Sequence, residues 1–281
     1  MKNFKEFFMI FLRGIFMGIA DAIPGVSGGT IALITGIYQR LIHAINNINL
    51  LILKEIANKN IKKAINNIKK IDFPLFIPLI SGIVIALLTV SHIIGYLLTT
   101  YTSITYAFFL GLILISSFFV YQNTKGNHKK NLPYILSGFI FALWFTGLTT
   151  IKTNHSFPVL FLAGAIAICA MILPGISGAF ILVLLNQYEF LINALKNLLI
   201  DKLAVFLIGA IIGILSFSTL LDYLLKKHKS ATMSILTGLM IGSLRIPYEK
   251  IITSQYTLIS TIISAIIGIG LVFFLEKKFS R

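Results

Sequence analysis

The sequence predicts an all-α polytopic membrane protein, and three observations lead to this prediction. Of the 281 residues, 57% are hydrophobic and only 12% are charged, whereas about 25% are charged in an average soluble domain. Six apolar stretches approach the roughly 20 residues that a membrane-spanning helix needs. Two further apolar regions are interrupted by a Pro-Gly-x-Ser-Gly motif. A soluble surface could not accommodate so many apolar side chains, so this composition excludes an ordinary soluble enzyme.

The first element is the apolar region 4–38, which is broken at Pro24-Gly25-Val26-Ser27-Gly28-Gly29. Proline removes a backbone donor and glycine frees the backbone, so a helix should stop here and restart. The two arms are short for crossing a bilayer alone, which predicts a re-entrant helix hairpin. The region 157–188 is broken in the same way at Pro174-Gly175-Ile176-Ser177-Gly178 and predicts a second hairpin.

Between and after the hairpins, the remaining elements follow from hydropathy and charge. Residues 39–73 are basic with interleaved apolar side chains, which predicts an interfacial segment on an anionic leaflet. The stretch 231–246 is short for a span. The six predicted spans are 74–100, 104–122, 132–149, 203–225, 231–246 and 256–275.

The two halves of the chain, 1–149 and 150–281, are predicted to be inverted repeats. An offset of 150 residues aligns identical residues at Gly14, Ala20, Pro24, Gly25, Ser27, Gly28, Ile31, Tyr38, Leu41, Ile42, Ala44 and Asn47. An offset of 127 does so at Gly82, Ser91, Tyr96, Leu97, Leu98, Thr105, Gly111 and Ser116. Each half contributes a hairpin and three spans, an odd number, so the second half should be upside down, as in many transporters.

Charge then predicts the orientation. With this arrangement, 18 of the 24 Lys and Arg residues lie in loops on one side and 5 on the other. The positive-inside rule places the richer side, with both termini, in the cytoplasm. The formal net charge of +15 therefore indicates membrane topology, and no nucleic acid partner is expected. No metal, cofactor or catalytic constellation is predicted, and the single cysteine, Cys169, is expected to pack.

The hairpin tips are the candidate substrate site. The first N–H groups of a restarting helix are unpaired and carry partial positive charge, which suits a phosphate or carboxylate. The alternative is that small residues only let two hairpins pack closely, and both can hold together. The candidate phosphate ligands are Gly25, Ser27, Gly28, Gly29, Thr30, Gly175, Ser177 and Gly178, together with Arg13 at the mouth of the first hairpin.

Two ionisable residues are candidates for coupling transport to a proton or cation. Asp21 precedes the first tip, where a buried carboxylate is costly unless it has a partner; it could carry a proton, cap a helix or pair with Arg13. His92 lies within the span 74–100 and could relay protons or simply pack. Tyr38 and Tyr188 are interpreted by default as interfacial anchors, with ligand binding as the alternative.

At these motifs the sequence resembles the bacterial polyprenyl-phosphate transporter family, the undecaprenyl phosphate translocases. The resemblance rests on residues 18–32, GIADAIPGVSGGTIA, and 169–178, CAMILPGISG, and it covers nearly the whole chain. It implies a flippase of the bacterial cytoplasmic membrane that returns undecaprenyl phosphate from the outer to the cytoplasmic leaflet, which recycles the carrier lipid of peptidoglycan synthesis. Ala179 departs from the expectation of a small polar residue in the second tip.

The implied partners are undecaprenyl phosphate and membrane lipids, and a homo-oligomer is left open. Inward movement of an anion against an inside-negative potential costs about 2.3 kcal/mol per charge per 100 mV, which a co-transported proton or cation would offset. One alternative is a small-anion transporter, which would not depend on a lipid tail. A second is a membrane enzyme resembling undecaprenyl pyrophosphate phosphatase, whose family has glutamates and an arginine where this chain has Gly and Ser.

Overall fold

The computed structural model describes residues 2–23, 26–48, 67, 69–122, 124, 128–255 and 257–279, and every regular element in these ranges is helical. The all-α prediction is therefore confirmed. The helices are α1 (Lys2–Asp21), α2 (Gly28–Ile34), α3 (Tyr38–Asn46), α4 (Phe73–Thr100), α5 (Thr102–Gln122), α6 (His128–Thr146), α7 (Phe157–Ile172), α8 (Gly178–Leu184), α9 (Tyr188–Lys196), α10 (Ile200–Lys227), α11 (Lys229–Ser243), α12 (Arg245–Thr253) and α13 (Leu258–Phe279). Most of the basic stretch 39–73 beyond α3 lies outside the described residues.

Among the described residues, four helices are long and apolar enough to cross a membrane. They are the Phe73–Val90 part of α4, α5, α10 and the Leu258–Lys277 part of α13. They coincide with the predicted spans 74–100, 104–122, 203–225 and 256–275. The pair α8 and α9, bent by 101°, adds a fifth candidate if it is one broken span.

The other two predicted spans, 132–149 and 231–246, do not reach that length and hydropathy, so four or five candidates replace the expected six. The second stretch corresponds to α11, which has only 15 residues and is largely buried. It packs between α5 and α6, and a helix enclosed by protein need not match the thickness of the bilayer. The first corresponds to α6, whose first turn is polar, with the sequence His-Lys-Lys.

In both interrupted regions, residues near the two ends are in contact. At the base of the first, Arg40 Nη1 lies 2.8 Å from Glu6 Oε1, so the start of α1 lies beside the start of α3. At the base of the second, Ile151 N donates to Leu184 O over 2.7 Å. The returning arms, α2 and α8, have seven residues each, about 10 Å of helix, which is shorter than the sequence suggested.

The returning arms end at equivalent breaks. Gly36 and Asn186, 150 residues apart, both adopt positive φ, 74° and 55°. The following amides reach back five residues, from Ile37 N to Ala32 O and from Gln187 N to Leu182 O. This pattern is the Schellman motif, for which glycine or asparagine suits the left-handed position. It turns the chain from α2 into α3 and from α8 into α9.

The same helix contacts recur in the two halves. The helix α1 packs on α4 as α7 packs on α10, and α5 packs on α13 as α11 packs on α6. A methyl group at Gly14 or Gly82 would overlap the backbone of the facing helix, and so would one at Gly164 or Gly209. Close crossings of this kind need small residues. They hold each hairpin against its neighbouring long helix and thereby position the tips.

Candidate functional site

The two hairpin tips meet inside the protein. The Ser27 hydroxyl donates to Leu173 O over 3.0 Å, and the Thr30 hydroxyl accepts from Gly175 N over 3.1 Å. Both side chains are buried. Gly29 faces the Ile172 carbonyl so closely that a Cβ atom would collide with it. The close packing that the sequence offered as an alternative is therefore formed, with Pro24 and Gly25 lying outside the described residues.

The N–H groups at the start of α2 have protein acceptors. Ser27 is the N-cap, and its side chain accepts from Gly29 N over 3.1 Å. Gly28 N donates to Asp21 Oδ1 over 2.7 Å, and Thr30 N donates to Ser27 O. Of the alternatives for Asp21, the helix cap is thus formed. A carboxylate is a favourable partner at this end of a helix, which offsets part of its cost of burial.

The second tip lacks these partners. Ser177 is the N-cap of α8, but its side chain makes no capping hydrogen bond. In repeat alignment Met171 replaces Asp21, Ala179 replaces Gly29 and Phe180 replaces Thr30. Within the described ranges the Ser177 hydroxyl makes no hydrogen bond, although the residue is only 6% exposed. The structure thus joins Ser27 to Leu173 and Thr30 to Gly175 across the two tips, whereas Ser177 takes no part in these contacts.

A cavity of about 260 Å³ lies beside the first tip, between α1, α3, α4, α7 and α10. Its walls are apolar except at Asp21 and Tyr38, and Gly29 forms part of them. Tyr38 is buried, and in the part of the chain that is described its hydroxyl has no hydrogen-bond partner. Its interpretation as an interfacial anchor is therefore wrong. Tyr188, in contrast, is exposed, as an anchor would be.

The other two candidate residues lie away from the tips. Arg13 is eight residues before Asp21 on α1, about 12 Å along the axis, and the charges that act on it include those of Arg40 and Glu6. His92 is exposed on the outer face of α4 and does not line the cavity beside the first tip. The structure does not bring His92 together with the tip residues.

A polar cluster joins α3 to α10. Asp222 and Lys226 form the i, i+4 pair suggested by their spacing, at 2.7 Å. The Asp222 side chain is only 8% exposed and also accepts from Asn46 Nδ2 over 2.9 Å, with His43 Nδ1 at 3.3 Å. The Thr219 hydroxyl donates to Asn46 Oδ1 over 2.7 Å. Sequence reasoning missed the α3 partners; the signal available was that Asp222 replaces Gly95 in the repeat.

Comparisons with known proteins place the chain beside lipid transporters. A family model described as VCA0040-like, undecaprenyl phosphate translocase-like, matches residues 17–265. The polyprenyl-phosphate transporter of Vibrio cholerae serotype O1 is 41% identical over 237 residues, which cover 83% of this chain and 75% of that relative. A polyprenyl-phosphate transporter of Staphylococcus aureus is 28% identical over 299 residues, which cover 95% of both chains. No solved structure matches the chain. These names indicate a transporter rather than an enzyme.

Proposed function

Because the chain belongs to the undecaprenyl phosphate translocase-like family, we propose that it moves polyprenyl phosphate from the outer to the cytoplasmic leaflet of the bacterial cytoplasmic membrane. The observation that carries the proposal is the meeting of the two Ser-Gly tips inside the protein. A lipid phosphate needs a polar site within the membrane for its head group, whereas its tail can stay in the bilayer. The tips supply backbone and hydroxyl donors at such a depth.

The proposed topology has two re-entrant hairpins and inverted halves, and contacts between loops support it. On the proposed cytoplasmic side, Arg40 pairs with Glu6 and Asp72, and the Ser230 hydroxyl donates to Asn131 Oδ1. These contacts join the basic loops in two pairs, 1–6 with 39–73 and 123–131 with 226–230. They are what is expected if both hairpins return to the side from which they enter.

Contacts on the opposite, proposed external side involve three of the external loops, 101–103, 150–156 and 245–255. The Ser103 hydroxyl donates to Gln255 O over 3.0 Å, and Arg245 Nη1 donates to Leu143 O over 3.0 Å. Ile151 N donates to Leu184 O at the base of the second hairpin. The second tip then approaches the centre from outside and the first from the cytoplasm, as in other transporters built from inverted repeats.

For the head group, we place the phosphate between the tips, against Ser177 and Gly178 first. Ser177 has a hydroxyl without a protein acceptor in the described residues, whereas Ser27 and Thr30 are engaged across the tip contact. The phosphate would then replace the contacts that Ser27 and Thr30 make across the tips. It would also bind Gly25, Gly28, Gly29 and Gly175. Hydrogen bonds to an ionised phosphate are stronger than those between neutral groups, so the exchange is favourable in this buried setting.

For coupling, we assign the proton or cation to Asp21. Its carboxylate lines the apolar cavity beside the first tip and occupies the Gly28 N–H that an arriving phosphate would use. Two anions would repel each other there, so protonation of Asp21 or entry of a cation would accompany binding of the phosphate. The carrier would then enter together with the lipid head group.

The test is a flipping assay in liposomes that contain the purified protein and a fluorescent polyprenyl phosphate. The fraction in the outer leaflet is followed by chemical quenching from outside, with and without a pH gradient. Ser27→Ala and Ser177→Ala should slow flipping about 10-fold each, since a hydrogen bond to a charged group contributes about 1.5–3 kcal/mol. Asp21→Asn should remove the response to the gradient.

Ser260→Ala is the matched control, because Ser260 is half-buried in the first turn of α13 and its hydroxyl donates to Thr257 O, three residues earlier in the chain. Flipping at the wild-type rate in both tip variants would show that the phosphate does not bind at the tips. Equal transport of inorganic phosphate or another small anion would favour the small-anion alternative. Phosphate released from undecaprenyl pyrophosphate would make the protein an enzyme.

A further inference from the structure

The helices α3 and α9 are repeat equivalents, 150 residues apart, yet they are packed differently. The helix α3 packs along α10, and its Ile42 and Ile45 are buried, at 0% and 6% exposure. Their equivalents on α9, Ile192 and Leu195, are 41% and 61% exposed. The apolar face that α3 buries is therefore uncovered on α9.

The surface equivalent to the α3 docking face of α10 is also uncovered. An offset of 127 residues relates α10 to α4, so that Thr219, Asp222 and Lys226 correspond to His92, Gly95 and Thr99. All three α4 residues are exposed. A Cβ atom added to Gly95 would meet no atom within 4 Å among the described residues. Two faces that the repeat makes complementary, one on α9 and one on α4, are thus not covered by any part of the chain that is described.

From this pair of faces we infer that α9 docks on residues 92–99 of α4 in a second state of the protein, after α3 has left α10. The inference rests on the proposed function, in which inverted halves alternate. Two copies of one sequence pattern can exchange conformations, so an arrangement adopted by one half is accessible to the other. The α3–α10 and α9–α4 contacts are then alternating gates on opposite sides of the tips.

The repeat specifies which residues meet in the second gate. Asn46, which accepts from Thr219 in the α3–α10 gate, corresponds to Lys196. Thr219 corresponds to His92. Lys196 therefore lies beside His92 when α9 is docked, which gives this exposed histidine a place in a gate rather than at the tips.

The two gates are not equally strong. The α3–α10 gate contains the buried carboxylate of Asp222 with Lys226, His43 and Asn46 around it. The α9–α4 gate has Gly95 in place of this carboxylate and brings together two basic residues, His92 and Lys196. The state with α3 docked is therefore the resting state, and the second gate closes only transiently.

The experiment is disulfide cross-linking in liposomes, starting from a Cys169→Ala protein that has no other cysteine. The pair Asn46→Cys/Thr219→Cys should cross-link readily, because these side chains are in hydrogen-bond contact. The pair Lys196→Cys/His92→Cys should cross-link about 10-fold more slowly, and each cross-link should stop transport. Adding Asp222→Asn should accelerate the second reaction several-fold and retard the first.

The control pair is Lys196→Cys/Ile93→Cys. Ile93 is also exposed but points about 100° away around α4, so this pair should remain uncross-linked. The inference is wrong if the cysteines introduced at positions 92 and 196 both react with maleimide but do not cross-link, or if the control pair reacts as fast. If both pairs cross-link as expected but the protein does not move polyprenyl phosphate, the gates stand and the proposed substrate is wrong. If the protein transports polyprenyl phosphate but cysteines at positions 92 and 196 never cross-link, the proposed gates are wrong.

Discussion

The two hairpin tips carry the same Pro-Gly-x-Ser-Gly motif but are held in different ways. The Ser27 hydroxyl bonds Leu173 O and accepts from Gly29 N, whereas the Ser177 side chain makes no capping bond. Asp21 occupies the start of α2, and Met171 stands in its place before α8. The shared motif thus specifies the turn, and the residues around it decide whether its donors are occupied.

The helices α3 and α9 differ in a similar way, because ion pairs attach α3 to its neighbours and the equivalent residues near α9 are uncharged. Arg40, Asp72 and Asp222 hold α3 to the neighbouring elements. At the equivalent positions the chain has Phe190, Leu199 and Gly95. The halves share helix contacts because they share small and apolar residues. They differ in how α3 and α9 are packed, because the charged residues of the ion pairs around α3 are replaced at the equivalent positions.

The largest effect is expected from a larger side chain at the tip contact. Gly29→Val would place its Cβ against the Ile172 carbonyl and separate the tips. The cost is about 2–3 kcal/mol, which combines overpacking with loss of the Ser27–Leu173 bond. Thermal unfolding in detergent should show a Tm lower by roughly 5–10 °C.

Ala179→Val is the matched control, because that position of the second tip already accommodates a Cβ atom. Its Tm should fall by roughly 3 °C or less. Equal losses of stability in the two variants would show that the tips are packed alike, contrary to the asymmetry described here.

The parts of the structure that depend on local chemistry were predictable from the sequence. Proline and glycine stop the helices at both tips, whatever surrounds them. The pair Asp222–Lys226 follows from i, i+4 spacing alone. The family resemblance was also available from the two tip motifs, and the family model and both relatives confirm it.

The long-range packing was not predictable, for a reason specific to membrane proteins. In a soluble helix the apolar face marks the side that packs on protein, but lipid is as apolar as the interior, so this signal is lost. Hence the sequence could not show that Tyr38 is buried, that His92 is exposed, or that Asn46 reaches Asp222 across 176 residues. It also could not show that the short helix α11 is enclosed by protein.

A smaller effect is expected from weakening the polar cluster between α3 and α10. Asp222→Asn removes the charge that attracts Lys226, a loss of about 1–2 kcal/mol. The probe is maleimide labelling of a single cysteine in the Cys169→Ala protein. Ile42→Cys should label slowly, and Asp222→Asn should accelerate it about 5–30-fold, whereas Ile192→Cys labels quickly from the start.

Gly95→Asp is the reciprocal change, because it adds a carboxylate to the equivalent face of α4. Lys196 can approach that carboxylate when α9 docks, so Ile192→Cys should become several-fold slower to label. If Asp222→Asn leaves labelling at position 42 unchanged, apolar packing alone holds α3, and the charge contributes nothing to the asymmetry.

The smallest effect is expected at the base of the first hairpin. The hydrogen bond from Arg40 lowers the pKa of Asp72 below its ordinary value. A carboxyl whose pKa is lowered on folding stabilises the protein above its unfolded pKa, about 3.9, and this contribution disappears as the pH falls through the folded value. Asp72→Asn should therefore cost under about 1 kcal/mol at pH 7, as is typical of partly exposed ion pairs. The difference in stability from wild type should begin to shrink below about pH 4 and vanish below the folded pKa of Asp72. Leu199→Asp at the equivalent position should give a weaker pH dependence, because Phe190 there offers no positive charge and only the start of α10 favours the carboxylate. An equally strong dependence would mean that the Arg40 pair is not its cause.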